Sequence, residues 1–117
     1  MIIFENNTLK LESFISGMLQ NNSYLLISKT TNNSIIIDIP DNPKDLINAT
    51  PKNKLQKSKN IDTIQAVITH GHYDHIEGID FAKDRLGDIN ISIGLEDAKY
   101  LNYSGKVTKL KKLNKII

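Results

Sequence analysis

The sequence contains no cysteine and no tryptophan. Without cysteine the chain forms no disulfide and offers no thiolate, so any metal site must use nitrogen and oxygen ligands. Lysine and arginine together number 15, the net charge is only +2, and Arg85 is the single arginine. Because the basic residues are scattered and have almost no arginine among them, the composition argues against a nucleic-acid partner.

Long apolar segments are also missing. No stretch approaches the roughly 20 apolar residues that span a membrane. The first seven residues, which run from Met1 to Asn7, lack the basic start and apolar run of a signal peptide. We therefore expect no membrane partner and a cytoplasmic protein. The lysine-rich stretch 52–59 predicts a solvated surface, because it has neither aromatic residues for stacking nor arginine for phosphate.

The chain is 117 residues long, with 39% hydrophobic residues, which suits one domain over residues 1–117 or part of a larger one. Its first third predicts an antiparallel meander of three strands, with residues 2–4 as a further edge strand. Polar and apolar residues alternate from Thr8 to Phe14, and a turn at Asn21-Asn22 precedes the strand 24–27. The run 34–38, with isoleucine at 35, 36 and 37, predicts a strand buried on both faces.

The rest of the chain alternates predicted helices and strands, which favours an α/β arrangement with helices packed on a sheet. A helix is expected over 42–48, with Asn42 as its N-cap. Another apolar helical pattern runs to Leu86 and stops at Gly87. A strand over 90–93 and a helix over 94–101 follow. The tail 107–117 predicts a segment that packs on the domain or, as an alternative, a basic amphipathic helix that binds a partner or membrane.

The three histidines of the chain, His70, His72 and His75, lie within six consecutive positions. An apolar, β-branched run ends just before them, so we expect them where a buried strand passes into a loop. His70 and His72 are two residues apart and project to the same side of an extended segment. Imidazole suits zinc and related metals, and Asp74 adds an anionic oxygen ligand. The loop thus predicts a metal site; the alternative is a surface loop that carries histidines without a metal.

This loop carries a resemblance to a known family. The run Thr69-His70-Gly71-His72-Tyr73-Asp74-His75 resembles the T-H-x-H-x-D-H signature of the metallo-β-lactamase superfamily, and Ile76-Glu77-Gly78 continues it. The sequence looks most like the glyoxalase II-like and related hydrolase branches of that superfamily. The resemblance implies an α/β fold of the α+β type: the N-terminal half of an αββα sandwich, with a mixed sheet and helices on one face.

The resemblance also implies a role for each residue of the loop. His70 and His72 would bind one metal, here called site one, and Asp74 and His75 would bind a second, called site two. The metal would be zinc, as one or two ions, with iron or manganese as alternatives. Asp74 would also be catalytic, because in the family this aspartate orients the water that attacks the substrate.

Asp38 closes the apolar strand at a point where the family often has an Asp-Pro-Gly turn. The following Ile39-Pro40 departs from that pattern. Two interpretations stay open. By resemblance, Asp38 would be a carboxylate that orients the metal-bound imidazoles; alternatively, it is a turn residue that ends a strand.

The resemblance implies a half-complete site. In the family, further histidines and an aspartate from a second half of the fold finish both metal sites, and this chain has no histidine outside the loop. We therefore expect a metal-dependent hydrolase of a small molecule, for example a thioester, that is incomplete as a lone chain. The alternative is a non-catalytic metal-binding remnant, or a truncated or split gene product. Apolar strand faces predict a homodimer or a complementing chain.

Overall fold

The computed structural model describes residues 1–51, 64–87 and 89–98, together with the backbone of 113–116. The lysine-rich stretch and most of the amphipathic tail lie outside these residues. The described part forms seven strands and three helices, and a single 3₁₀ turn covers Leu95–Asp97. In chain order the elements are β1 (Ile2–Glu5), β2 (Leu9–Ser16), β3 (Asn21–Ser28), β4 (Ser34–Ile37), α1 (Lys44–Ala49), β5 (Ile64–Ile68), α2 (Tyr73–Ile76), α3 (Ile79–Leu86), β6 (Asn90–Ile93) and β7 (Leu113–Ile116).

The strands form one mixed sheet whose spatial order follows the chain from β1 to β7. The pairs β1–β2, β2–β3 and β3–β4 are antiparallel. The pairs β4–β5, β5–β6 and β6–β7 are parallel. Parallel neighbours need long crossovers, and the segments that hold α1 and α2–α3 supply the first two. The predicted meander, its edge strand and the α/β architecture of the α+β type are confirmed.

The hydrophobic core lies on one face of the sheet. Leu25, Ile36 and Ala66, from three neighbouring strands, are completely buried. They form one cluster with buried residues of all three helices, such as Leu46 and Ile79. Ile35 points to the other face and is 36% exposed. The helices therefore cover one face, and within the single chain the prediction that the strand 34–38 is buried on both faces is wrong.

Two local predictions also need correction. The turn after β2 is formed by residues 17–20, where Gly17 and Gln20 have positive φ angles, so Asn21 begins β3 instead of forming the turn. Helix α1 has Pro43 as its N-cap, because Asn42 has a φ of 54° and lies outside the helix. Of the helix expected over 94–101, the described residues reach Ala98; they show a 3₁₀ turn at 95–97 and helical backbone at Ala98, and the remainder lies outside the described residues.

The end predicted for the helix before Gly87 is confirmed. Gly87 has a φ of 80°, and its backbone N–H donates to the carbonyl of Lys83. A φ in this range favours glycine. Among the helices of the described part, none is long and apolar enough to cross a membrane.

The sheet topology brings three chain segments to the same edge. Ile37, the last residue of β4, pairs with Val67 on the parallel strand β5 and with Tyr24 on the antiparallel strand β3. The end of β4, the end of β5 and the start of β3 must therefore meet. Asp38, the histidine loop and Asn21 lie at these three positions.

The loop after β4 is packed directly against the histidine loop. The backbone N–H of Ile39 donates to the carbonyl of His75, and that of Gly78 donates to the carbonyl of Ile39. A Cβ atom at Gly78 would lie 2.1 Å from the carbonyl oxygen of Pro40. Only glycine leaves room for this close approach.

Candidate metal centre

The histidine loop changes from extended chain to helix in the middle of the motif. β5 ends at Ile68, and His72 still has an extended backbone, with a ψ of 138°. The N–H of His75 then donates to the carbonyl of His72 over 2.9 Å, which closes the first turn of α2. His70 and His72 thus come from the extended part, and Asp74 and His75 from the helical part.

These four side chains form one cluster. The ring centroid of His70 lies 4.4 Å from that of His72 and 4.1 Å from that of His75. The Nε2 atom of His75 lies 3.6 Å from the Oδ2 atom of Asp74. The structure therefore brings together all the residues to which the sequence assigned metal ligation. That they bind a metal stays a prediction.

The donor set fits zinc in its chemistry, because neutral imidazole nitrogens and a carboxylate oxygen are ligands that zinc uses. The arrangement of the side chains is a different matter. Within residues 1–51, 64–87 and 89–98, no group of three or more histidine, aspartate or glutamate side chains is placed to hold a metal ion. The rings instead pack against one another, whereas zinc needs its nitrogens to converge at about 2.0–2.1 Å from the ion.

The Asp38 carboxylate binds the histidine loop through several hydrogen bonds, and its side chain is only 6% exposed. Its Oδ1 accepts a hydrogen bond from the backbone N–H of Thr69 at 2.7 Å. Its Oδ2 accepts one from the Thr69 hydroxyl at 2.7 Å and contacts Nδ1 of His75 at 3.0 Å. Asp38 has a φ of 62°, which is a left-handed backbone conformation. Aspartate tolerates this conformation better than most residues do. Of the two interpretations, the structure favours the carboxylate that orients imidazoles.

These contacts determine which nitrogen carries the proton in two of the histidines. An ionised carboxylate only accepts hydrogen bonds, so both Thr69 Oγ1 and His75 Nδ1 donate to Asp38. Since the Thr69 hydroxyl has one hydrogen, its oxygen must accept from Nδ1 of His70, 2.9 Å away. In a neutral imidazole with its proton on Nδ1, the other nitrogen, Nε2, carries a lone pair. His70 and His75 would therefore both present Nε2 to a metal.

Asn21 is a functional candidate that the sequence analysis missed, because the sequence predicts a turn at this position, where asparagine is common for structural reasons. Its Nδ2 donates to the backbone carbonyl of Asp74 and to Asp74 Oδ2, both at 3.0 Å. Partial burial raises the pKa of Asp74, but hydrogen bonds from Asn21 and from its own backbone, with His75 and His72 nearby, lower it by more. The pKa of Asp74 therefore lies below its ordinary value, which favours the ionised form that a metal requires.

A cavity of about 440 Å³ opens beside Asp74. The hairpin turn between β2 and β3 forms one wall, where Met18 and Leu19 are 97% and 70% exposed. The other walls include Tyr73, Asp74 and Glu77 from the histidine loop and the residues that follow it. A small molecule bound here would touch both an apolar surface and Asp74, one of the candidate metal ligands.

Comparison with known proteins supports the fold. No family model matches the sequence, and no curated protein matches it either. Solved structures do match. A metallo-β-lactamase from Staphylococcus aureus subsp. aureus COL is 25% identical with a TM-score of 0.57, over 85% of this chain and 26% of that one. The metallo-β-lactamase DIM-1 is 20% identical with a TM-score of 0.54, over 87% and 45% of the two chains.

A third structure is the metallo-β-lactamase FIM-1 from Pseudomonas aeruginosa in a mono-zinc form. It is 21% identical with a TM-score of 0.51, over 85% of this chain and 43% of that one. The chain thus has a metallo-β-lactamase type of fold over most of its length. It spans less than half the length of these neighbours.

Proposed function

We propose that this chain is the N-terminal half of a metal-dependent hydrolase related to the metallo-β-lactamases. The observation that carries the proposal is the cluster of His70, His72, Asp74 and His75 at one sheet edge, with Asp38 beneath it. The fold of the structural neighbours supports it. We propose that the substrate is a thioester, as in the glyoxalase II-like branch, and that the reaction is its hydrolysis.

In this proposal each residue of the cluster has one task. His70 and His72 would hold a zinc ion at site one, and Asp74 and His75 would hold one at site two. When bound, zinc supplies Lewis-acid chemistry that makes water nucleophilic at neutral pH and polarises the carbonyl of the substrate. Asp74 would also orient the attacking water through its carboxylate. Asp38 and Thr69 would keep the imidazoles of His75 and His70 in the tautomer that leaves Nε2 free.

The proposal includes a complementing chain, because this chain has too few ligands to complete either metal site. A catalytic zinc usually has three protein ligands, and this chain offers two for each site. Two copies would bring six histidines, three from each chain. The sheet face opposite the core carries Leu11, Leu26, Ile35 and Val67, none of them fully buried. We propose that a second copy, or a chain with the missing half, covers this face and completes the site.

A zinc competition titration tests the metal site. The wild type should bind zinc, and the double variant His70→Ala/His72→Ala should lose that binding. Unchanged zinc content in the double variant would show that the ligands are assigned wrongly. The control is Asp84→Asn, which removes an exposed carboxylate on α3 and should bind zinc as the wild type does.

Light scattering tests the partner. A dimer mass at micromolar concentration supports the second copy, and Ile35→Lys should then convert the dimer to monomer by placing a charge on the apolar face. A stable, non-aggregating monomer would contradict the second copy. If that monomer hydrolyses thioesters efficiently and loses the activity with Asp74→Ala, the half-site is wrong as well. Tight zinc binding without hydrolysis by any assembly would support the alternative, a non-catalytic metal-binding remnant.

A further inference from the structure

Asn21 lies 53 positions before Asp74 in the chain, yet its side chain makes two hydrogen bonds to that residue. We infer that Asn21 is a positioning residue, which fixes the carboxylate of Asp74 for metal binding at site two. The inference rests on the proposed function. It assigns a role to a residue outside the histidine motif, on a strand that contributes none of the proposed ligands.

The backbone of α2 explains why a donor is needed at this point. In a continuous α-helix the carbonyl of Asp74 would accept from the N–H of Gly78. That N–H donates instead to the carbonyl of Ile39, because the loop after β4 is packed against the helix. The Asn21 amide supplies a donor to the Asp74 carbonyl in place of the helical one. One hydrogen of its NH₂ group thereby holds the main chain of the metal loop.

The second hydrogen of the same NH₂ group holds the side chain. It reaches Asp74 Oδ2 at 3.0 Å. With the main chain and one carboxylate oxygen bound to a single nitrogen, both the backbone position and the rotation of the carboxylate are determined. Hydrogen bonds of this kind to metal-ligating carboxylates orient them, and their loss typically lowers metal affinity by about 10–100-fold.

The chemical type of residue 21 is suited to this task. A neutral amide donates two hydrogen bonds without bringing a charge to the site. A lysine or arginine at position 21 would repel a metal cation. An ionised aspartate there could not donate to the Asp74 carbonyl and carboxylate, because it only accepts hydrogen bonds. Because β3 lies next to β4 and its core residue Leu25 is completely buried, Asn21 also holds the loop against a rigid element.

Cobalt(II) titration, followed by absorption spectroscopy, tests the inference. Asn21→Asp keeps the shape but replaces the donor with a carboxylate, and Asn21→Ala removes the donor without adding charge. We expect both to lose about 10–100-fold in metal affinity and to alter the cobalt spectrum. The matched control is Asn22→Asp, which adds the same charge at the exposed next position and should behave as the wild type does. All variants are compared well below their unfolding temperatures, so that lost stability does not imitate lost affinity.

A measurement on the wild type alone covers the case in which the variants fail to fold. Zinc should shift the side-chain NH₂ signals of Asn21 in a ¹⁵N-correlated NMR spectrum and leave those of Asn22 in place. Unshifted Asn21 signals, or Asn21 variants that match Asn22→Asp in affinity and spectrum, would overturn the inference and leave the proposed function intact. A wild type that binds neither metal would overturn the proposed function, and the inference with it.

Discussion

Replacement of Asp38 by asparagine removes one negative charge from the centre of the loop while keeping its shape. Asparagine also tolerates the φ of 62° at this position, so the backbone has no reason to change. The carboxylate has three hydrogen-bond contacts, from the Thr69 backbone, the Thr69 hydroxyl and His75. The oxygen of an asparagine side chain can still accept from the Thr69 backbone N–H. Its NH₂ group, however, would then lie against two other donors, the Thr69 hydroxyl and Nδ1 of His75.

The consequence follows from the proton positions. To accept from an amide NH₂, His75 must move its proton from Nδ1 to Nε2, which blocks the nitrogen proposed for the metal. The Thr69 hydroxyl must also turn, and His70 loses its fixed tautomer. Loss of such an outer contact typically costs about 10–100-fold in metal affinity, or about 1.4–2.8 kcal/mol at roughly 1.4 kcal/mol for each factor of ten.

The assay is a zinc competition titration of Asp38→Asn against the wild type, with Asp84→Asn as the control for charge. Asp84 is exposed on α3, so its removal changes the net charge equally without touching the loop. We expect Asp38→Asn alone to lose affinity. Equal zinc affinity for Asp38→Asn and Asp84→Asn, in proteins with native circular dichroism, would refute the reasoning about tautomers.

Two further predictions concern stability, measured by urea unfolding. Gly78→Ala should lower the free energy of unfolding by about 1–3 kcal/mol, because the added Cβ meets the Pro40 carbonyl; no loss would mean that the loop after β4 can move away. In the monomer, Ile36→Ala should cost about 2–5 kcal/mol and Ile35→Ala clearly less, since Ile36 is completely buried and Ile35 is 36% exposed within one chain. Equal costs in the monomer would contradict a chain that covers only one face of its own sheet.

The sequence predicted the sheet well where side-chain patterns are local. Alternating and apolar runs located the strands, and Gly87 marked the end of α3. The prediction that both faces of β4 are buried was wrong for the single chain. Three consecutive isoleucines look the same in the sequence whether the fold covers one face of the strand or both. What covers a strand depends on the helices that the whole topology places on it.

The candidate site was predictable only in part for the same reason. The histidine motif is contiguous, so its residues could be named from their spacing together with the family resemblance that the run carries. The Asn21 amide reaches Asp74 only because β3 and β5 both border β4, and no local pattern contains that information. Asp38 was intermediate: its strand end was visible in the sequence, but its contacts with Thr69 and His75 required the register of β4 against β5.

The central claim is that the histidine loop binds a metal through its imidazoles. X-ray absorption at the zinc edge of the zinc-loaded wild type measures this directly, because imidazole ligands give a characteristic multiple-scattering pattern. The account predicts nitrogen and oxygen ligands at about 2.0–2.2 Å with at least two imidazoles in the wild type, and no bound zinc in His70→Ala/His72→Ala under the same loading. A spectrum without imidazole scattering in the wild type would contradict the account.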